Sequence, residues 1–355
     1  MHNLSGVFLE EGEKKVIEGN TYFSFSVIYP KKTRVYYVEK EEEYKSWISS
    51  IKKAIGYSNL NDNYEIKQKL GNGKFGVVKL GIHKETGRKV AIKTINKNNM
   101  SIEDQGLVKT EIEILKICQH PNIIKLYDVY ENVDNIYISK IFYFILVMEY
   151  CSGGDLFGYI EQRGFKLPEV RACELIYKLS LAINYLHSYG ITHRDLKPEN
   201  ILMSDNTDTA DLKLLDFGLS KIIGPNETCT EPYGTLSYVA PEVLMEKPYN
   251  KSVDCWTIGI VTYLLLCGCL PFDDENSEKE IARQTINDPT PFPGLLWKKL
   301  SSESKKFVEN LLSKNPSERM NIKQVLDHPW IKNNMKNFGS KEKGDSFKLV
   351  VSSFD

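Results

Sequence analysis

Residues 193–200 read HRDLKPEN and place a histidine, an arginine, an aspartate, a lysine and an asparagine within eight positions. A carboxylate can accept a proton, a lysine can neutralise an anion, and carboxylate or amide oxygens can hold a hard cation. The stretch lies between a helix-like segment, ELIYKLSLAINYLHSYG, and the apolar residues ILM. Solubility alone does not require this order of residue types, so the stretch is a candidate for chemistry.

A second candidate is the glycine-rich segment LGNGKFGVVKLG at residues 70–81, in which Gly71, Gly73 and Gly76 have GxGxxG spacing. Glycines let backbone N–H groups approach phosphate oxygens because no Cβ stands in the way. A dinucleotide-binding fold would continue with a helix, but the sequence continues as strand, polar turn HKETG and strand. The pattern therefore favours a glycine-rich hairpin, which by itself is compatible with phosphate binding or with a plain turn.

The second of these strands carries VAIK, in which Lys93 is the charged residue beside Val90, Ala91 and Ile92. A lysine against an apolar surface needs an anionic partner. Glu111 is the best candidate, because it shares one helical face with Leu115, whereas Glu113 points toward solvent.

These motifs occur in a fixed order along the chain. HRDxxxxN is followed 16 residues after Asn200 by DFG at 216–218 and then by APE at 240–242, and the glycine loop and VAIK precede them. Together they resemble the protein kinase family over about residues 64–333. Taken singly, each aspartate or asparagine could instead be a turn or helix-cap residue.

The resemblance implies ATP and Mg²⁺ as cofactors and roles for individual residues. Asn200 and Asp216 would bind Mg²⁺. Asp195 would accept or orient the proton of the substrate hydroxyl, while Lys197 would neutralise the γ-phosphate and Lys93 the α- and β-phosphates, with Glu111 as the partner of Lys93. The nucleotide and the groove beside it would be contacted by Leu70, Gly71, Asn72, Gly73, Lys74, Phe75, Gly76, Val78, Ala91, Lys93, Met148, Glu149, Cys151, Asp155, Glu199 and Leu202.

Two positions resemble serine/threonine kinases, namely Lys197 within DLKPEN and Thr235 within GTLSYVAPE. The segments EYCSGGDLF, DFGLSK and DHPWI further resemble the calcium/calmodulin-dependent group, including the calcium-dependent kinases of plants and protists. By that resemblance Met148 would be the gatekeeper, Glu149 to Cys151 the adenine-binding hinge, and Asp155 and Glu199 would favour a protein substrate with Arg three residues before the acceptor.

Regulation would involve Arg194, because a buried guanidinium beside Asp195 needs an anion. The position that often carries a phosphothreonine in such kinases is Glu231 here, so the active conformation would not require loop phosphorylation. The alternative keeps Glu231 as a solvated acid and makes Thr228 or Thr230 the switch. No EF-hand pattern occurs, so a calcium sensor would lie elsewhere or on a partner.

Composition limits the remaining function classes. The 355 residues carry a net charge of −1, which offers no argument for nucleic acid or for a general attraction to anionic membranes. The seven cysteines include no CxxC, and the longest apolar run, 141–148, is too short for a membrane span. The cysteine usage fits a reducing compartment and the first residues lack the pattern of a signal peptide, so we expect a cytoplasmic protein. We also expect it to be a monomer.

The first 58 residues differ from the rest. An alternating segment at 22–29, a turn at Pro30, a second strand RVYYV and an amphipathic helix with a buried Trp47 resemble the C-terminal half of a pleckstrin-homology domain. We expect the chain to be part of a longer protein, with phosphoinositide or membrane contact only if additional residues complete this segment. Membrane association would then occur in that longer parent.

The sequence therefore predicts an α+β, two-lobed protein kinase fold with a strand-rich N-lobe, a helical C-lobe and a small N-terminal strand-strand-helix segment. The expected divisions are 1–58, a linker at 59–63, a kinase domain at 64–333 divided into 64–147 and 148–333, and a tail at 334–355. The segment near 131–147 is longer than usual, which implies either an extended strand hairpin or a small insertion in the N-lobe. The rival interpretations are a pseudokinase scaffold and a lipid-recruited binding module.

Overall fold

A computed structural model describes residues 8–17, 19–29, 32–54, 60–73, 76–96, 100–136, 139–224, 227–274 and 277–336. Within these ranges the backbone alone is described at 8, 10, 29, 52–54 and 131–142. The chain divides into two compact units, one built from 1–98 with 128–147 and the other from 99–127 with 148–355. The first is rich in strands and the second in helices, as the predicted kinase fold requires.

The N-terminal part of the first unit is a small antiparallel sheet with one helix. Its elements are β1 (Phe8–Glu11), β2 (Lys15–Ile17), β3 (Asn20–Tyr29), β4 (Lys32–Val38) and α1 (Glu41–Ala54). Strand β3 is central and pairs with each of the others. The sequence predicted β3 from its alternation, β4 from the segment RVYYV and α1 from its helical spacing. It did not predict β1 and β2, because these short strands lie in a charged stretch without alternation.

A compact core joins α1 to this sheet. Phe25, Val27 and Ile48 are buried and Tyr44 packs against them. The prediction of a buried Trp47 was wrong, because its side chain is 56% exposed. A sheet of so few strands covers a narrow stripe of the helix, and Trp47 lies at the margin of that stripe.

The second sheet of this unit has five strands in the order β5-β6-β7-β9-β8. The single-turn helix α2 (Leu60–Asn63), with Leu60 buried, precedes it within the expected linker. The strands are β5 (Tyr64–Gly73), β6 (Gly76–His83), β7 (Lys89–Asn96), β8 (Leu126–Ile136) and β9 (Ser139–Glu149). The extended hairpin expected near 131–147 is present as β8 and β9.

The second unit is mainly helical. Its helices are α3 (Ile102–Ile117), α4 (Leu156–Glu161), α5 (Glu169–Ser188), α6 (Pro241–Leu244), α7 (Ser252–Cys267), α8 (Glu278–Asn287), α9 (Gly294–Trp297), α10 (Ser302–Leu311), α11 (Ile322–Asp327) and α12 (Pro329–Met335). Two short antiparallel pairs accompany them, β10 (Ile191–Thr192) with β13 (Lys221–Ile222) and β11 (Ile201–Met203) with β12 (Leu212–Leu214).

Helices α5 and α7 form the centre of this unit. In α7 every residue from 253 to 267 is buried, as its almost wholly apolar sequence predicts. At Gly259 an added Cβ would lie 2.8 Å from the Leu311 side chain, so this glycine lets α7 and α10 approach closely. Among the described helices, none combines the length and apolar character that crossing a bilayer requires.

Candidate active site

The glycine-rich segment forms the β5–β6 hairpin and is not followed by a helix, so the dinucleotide interpretation is excluded. Gly73 pairs with Gly76 next to the turn, while Lys74 and Phe75 lie outside the described residues. Strand register places Val78 opposite both Gly71 and Lys93. The hairpin and the lysine strand thus bring these predicted site residues into one row.

The three glycines of this hairpin differ in what surrounds them. A Cβ at Gly71 would meet nothing within 4 Å, and a Cβ at Gly73 would meet Lys93 Cε no closer than 3.8 Å. These two positions leave open space beside the backbone, as phosphate binding requires. A Cβ at Gly76 would overlap the Thr94 carbonyl oxygen, so the third glycine serves strand packing.

Other predicted nucleotide contacts lie at strand positions of the same sheet. Leu70 and Asn72 are exposed on β5, whereas Ala91 is half-buried on β7. Met148 and Glu149 end β9 and are half-buried, as is Cys151 after them. Burial raises the pKa of the Cys151 thiol to about 12, so the thiol remains protonated at neutral pH.

The segment after the hinge is fixed to β11. Gly153 N–H donates to the Met203 carbonyl at 3.0 Å, and Asp155 forms an antiparallel bridge with Leu202. Asp155 caps α4 by accepting the Gly158 N–H at 2.8 Å. One of its two carboxylate oxygens therefore has the helix-cap role that the sequence left open. Asp155 and the exposed Glu199 therefore both lie near the start of β11.

Asp254 on α7 anchors the catalytic-loop candidate, and its side chain is buried, with 1% exposure. Its carboxylate accepts the backbone N–H groups of His193 and Arg194, each at 3.0 Å, and contacts His187 Nε2 at 2.8 Å. Burial alone would raise the pKa of Asp254, but the His187 hydrogen bond and the other donors hold this pKa below its usual value. The carboxylate thus stays ionised and fixes the loop backbone.

Three predicted residues converge around Asp195. Thr235 Oγ1 donates to Asp195 Oδ1 at 2.9 Å, and Lys197 Nζ donates to Thr235 Oγ1 at 2.8 Å. Lys197 Nζ also lies 3.2 Å from Asp195 Oδ2. Asn200 Nδ2 donates to the Asp195 carbonyl at 2.8 Å and to Oδ2 at 3.0 Å. One carboxylate therefore joins the catalytic loop to the later threonine.

The two candidate metal ligands lie at one end of the β11–β12 hairpin. The Leu215 N–H donates to the Asn200 carbonyl at 3.0 Å, which places Asp216 directly after this pairing. Asp216 has a φ of 62°, a left-handed conformation that is uncommon outside glycine, and its Oδ1 accepts the Gly218 N–H at 3.3 Å. The following Phe217 is buried against the His193 ring at 5.2 Å between centroids.

A second charged cluster surrounds Arg194, whose side chain is 6% exposed. Its Nε donates to the Leu219 carbonyl at 2.6 Å, and its Nη1 donates to Glu231 Oε2 at 3.4 Å. Lys221 Nζ donates to the other Glu231 oxygen at 2.5 Å. The hydrogen bond from Lys221 lowers the pKa of Glu231 to about 2, despite the opposing effect of partial burial.

Comparison with known proteins agrees with this geometry. The pattern that describes the protein kinase domain matches residues 64–331. The chain belongs to the protein kinase family. It is 42% identical to myosin light chain kinase A of Dictyostelium discoideum over 274 residues, covering 77% of this chain and 90% of that protein.

Two further relatives are also named as protein kinases. A probable serine/threonine-protein kinase pXi of Dictyostelium discoideum is 42% identical over 77% of this chain and 36% of that protein. Calcium/calmodulin-dependent protein kinase type 1B of Rattus norvegicus is 40% identical over 76% of this chain and 75% of that protein. The prediction of a serine/threonine protein kinase in the calcium/calmodulin-dependent group is thereby confirmed.

Membership in the kinase family implies ATP and a divalent metal. The donor set fits such an ion, because the amide nitrogen of Asn200 is directed at Asp195 and its oxygen is the atom left for a cation. Among the described residues, no group of three or more His, Cys, Asp or Glu could hold a metal. A Mg²⁺ site needs only two protein oxygens when phosphate and water supply the remaining ligands. The lack of a three-residue cluster among the described residues is therefore compatible with a divalent ion at Asn200 and Asp216.

Glu111, the predicted partner of Lys93, is 3% exposed on α3 of this kinase. Their pairing stays a prediction. The structure also joins the glutamate of the APE motif to a distant arginine, because Arg319 donates to both Glu242 oxygens at 2.6 and 2.8 Å and both residues are buried.

Sequence reasoning missed several residues of the kinase site, namely His187, Lys221, Tyr233 and Tyr249. Each approaches its partner across at least ten positions of sequence, from 10 for Lys221 with Glu231 to 130 for Tyr233 with Glu103. Family motifs identified the partners but not these neighbours. For Lys221, its position in the residues after DFG was the only available signal.

Proposed function

We propose that this kinase phosphorylates Ser or Thr in protein segments with Arg at the third position before the acceptor, using Mg²⁺ and without prior loop phosphorylation. The carrying observation is the cluster of Asp195, Lys197 and Thr235, in which each side chain lies within 3.2 Å of another. A carboxylate, a cation and a hydroxyl at this spacing match the needs of phosphoryl transfer to an alcohol.

In the proposed mechanism Asp195 receives a hydrogen bond from the acceptor hydroxyl and orients its oxygen for in-line attack. Thr235 holds one oxygen of Asp195 in place, and Asn200 holds the other. Lys197, bound to Thr235, supplies positive charge where the transferred phosphoryl group develops negative charge.

Asn200 and Asp216 would hold Mg²⁺, because both offer hard oxygens at one end of the same hairpin. The ion would neutralise phosphate charge when bound. Lys93 and the open backbone at Gly71 and Gly73 are the proposed contacts for the phosphates of ATP.

Preference for Arg follows from the two acids near the start of β11. Glu199 is exposed, and one oxygen of Asp155 serves as the α4 cap. A guanidinium at the third position before the acceptor would form charge-assisted hydrogen bonds with such carboxylates. Leu264, at a position where some arginine-directed kinases have another acid, is buried and apolar, so a second Arg would gain less.

Independence from loop phosphorylation is supported by the contacts of Glu231. This carboxylate already bridges Arg194 and Lys221, the two cations that a phosphate would otherwise neutralise. Thr230, the alternative switch, is exposed. The geometry thus favours Glu231 over its neighbour as the partner of Arg194.

The N-terminal segment is proposed to be part of a pleckstrin-homology domain, and the β3–β4 hairpin packed on α1 supports this. A cytoplasmic kinase that a longer N-terminal region recruits to phosphoinositide membranes would follow. Vesicle sedimentation of this chain beside an N-terminally extended form tests the idea, and equal binding would contradict it.

The likeness to the calcium-dependent kinases of plants and protists is also part of the proposal. Its support is the set of sequence segments around the hinge, DFG and DHPWI. Calcium would act through a separate sensor or partner.

The deciding experiment measures phosphate transfer from Mg-ATP to an R-x-x-S peptide in calcium chelator, with bacterially expressed protein and Asp216→Ala as the inactive control. We expect transfer by the wild type alone. Peptides with Ala in place of Arg should be poorer substrates for the wild type, and Glu199→Ala should reduce this difference.

Glu309→Ala, which removes an exposed acid on α10, is the matched control and should leave the peptide preference unchanged. Silence of the wild type, with or without added calcium, would contradict the proposed activity. Equal use of the two peptides by the wild type would contradict the Arg preference alone.

A further inference from the structure

Tyr233 lies in the activation segment two residues after Glu231 and contacts a different helix. Its hydroxyl donates to Glu103 Oε1 at 3.0 Å. Glu103 and Tyr233 are 130 positions apart in sequence, so this bond is a tertiary contact between the loop and α3. The resemblance assigned no function to either residue.

The other side of Tyr233 faces the catalytic loop. The Arg194 guanidinium lies 5.0 Å from the centroid of the Tyr233 ring, within the range of a cation–π contact. Arg194 directly precedes Asp195, and its backbone N–H is fixed by Asp254. The Tyr233 ring therefore lies against a part of the catalytic loop that the core holds firmly.

The local backbone fixes the position of Tyr233. Its N–H donates to the Glu231 carbonyl at 2.9 Å, across Pro232, whose ring restricts the chain between them. The Tyr249 hydroxyl donates to the same Glu231 carbonyl at 2.7 Å. These bonds hold Tyr233 in a defined turn and not in a freely moving loop.

Glu103 belongs to the first turn of α3. Ser101 caps this helix by accepting the Asp104 N–H at 3.0 Å, so the turn is well formed. Glu111, the expected partner of the ATP-binding lysine, is on the same helix two turns later. Because a helix moves nearly as a rigid rod, a restraint on Glu103 also restrains Glu111.

We propose that Tyr233 is a positioning residue that joins the catalytic loop to α3. Its uncharged hydroxyl donates a hydrogen bond to the Glu103 carboxylate, so that α3 is held without a phosphate. Tyr233 acts through Glu103 on the orientation of Glu111 and does not touch substrate. The inference rests on the expected pairing of Glu111 with Lys93 in the proposed function. It adds a restraint on α3 to the proposed independence from loop phosphorylation.

The test compares Tyr233→Phe, Glu103→Ala, Glu103→Gln and the double variant Tyr233→Phe/Glu103→Ala in the full chain. Phe removes the donor and Ala the acceptor, whereas Gln keeps an acceptor oxygen. We expect kcat to fall about three- to tenfold in Tyr233→Phe and in Glu103→Ala. Glu103→Gln should retain most of the wild-type kcat, and the double variant should be no worse than the poorer single variant.

Two matched controls are available. Glu113→Ala removes an exposed acid from the same helix, and Tyr189→Phe removes a hydroxyl from a tyrosine that is 61% exposed. Neither should change kcat. In addition, hydrogen exchange should become faster in peptides from α3 of Tyr233→Phe and stay unchanged in peptides from α5 and α7.

Additive losses in the double variant, an unchanged Tyr233→Phe, or equal losses in Glu103→Gln and Glu103→Ala would each overturn the proposal. So would faster exchange spread evenly over the whole chain, which would indicate general destabilisation. Hydrogen exchange needs no turnover, so the link can be judged even if the wild type transfers no phosphate. Failure of the link and failure of the proposed function are thereby distinguishable.

Discussion

The catalytic loop and the activation segment both depend on charge, but they neutralise it in different surroundings. The loop is fixed by Asp254, which is 1% exposed and binds backbone N–H groups. The activation segment is fixed by Glu231, whose side chain is 39% exposed and binds the side chains of Arg194 and Lys221. A buried acceptor for backbone donors gives rigidity, whereas a partly exposed carboxylate that binds side chains can be lost at lower cost.

This difference matches the different tasks proposed for the two regions. The proposed mechanism needs Asp195 at a constant position, and the buried support of Asp254 meets that need. Regulation needs contacts whose loss leaves the fold intact, and a partly exposed carboxylate on two cations is such a contact. The following substitutions test this contrast, beginning with the largest expected effect.

Removal of the buried support should be the most damaging change. Asp254→Ala leaves His187 and two backbone N–H groups without their acceptor, so we expect a loss of about 3–5 kcal/mol in unfolding free energy and nearly all activity. Chemical denaturation and the peptide assay measure the two effects. Asp254→Asn, which keeps one acceptor oxygen, should lose less, and wild-type stability of Asp254→Ala would break the comparison.

The next effect concerns the hydroxyl that joins the two regions. Thr235→Val preserves shape but removes the bonds to Asp195 and Lys197, so kcat should fall about tenfold or more with little change in melting temperature. Steady-state kinetics measures the fall. Thr235→Ser keeps the hydroxyl and should retain most activity. An equal fall in both variants would show that the hydroxyl alone does not explain the loss.

A smaller effect is expected in the activation segment. Glu231→Ala leaves the nearly buried Arg194 without its carboxylate, so activity should fall about three- to tenfold while the fold persists. Thr230→Ala, at an exposed neighbouring position, is the control and should be nearly neutral. Equal or reversed losses in the two variants would restore Thr230 as the switch.

The smallest expected effect is the pH dependence of the contribution that Glu231 makes to activity. The pKa of Glu231 is lowered from 4.5 to about 2, so its contribution to the folded state is complete above about pH 4.5 and disappears as pH falls toward 2. The ratio of wild-type to Glu231→Gln activity should therefore stay constant between about pH 6 and 8. Parallel assays across this range check it, and a ratio that changes with pH would show that another group titrates.

The sequence predicted much of the fold because hydrophobic period is a local property. Alternation in YFSFSVIY predicted β3, and the apolar run after Trp256 predicted the buried α7. The exposed Trp47 was mispredicted because helical period gives the direction of a stripe but not the width of the surface that covers it. The strands β1 and β2 were missed because their pairing with β3, and not their own pattern, makes them strands.

By itself the sequence determined the family and the identity of most candidate site residues, because motif order and residue type carry that information. Only the tertiary structure decided which groups meet. It placed Lys221 on Glu231, Tyr233 on Glu103 and His187 on Asp254, pairs separated by 10, 130 and 67 positions. Such contacts depend on how distant elements pack, and the energy of packing is a property of the whole fold that no local pattern contains.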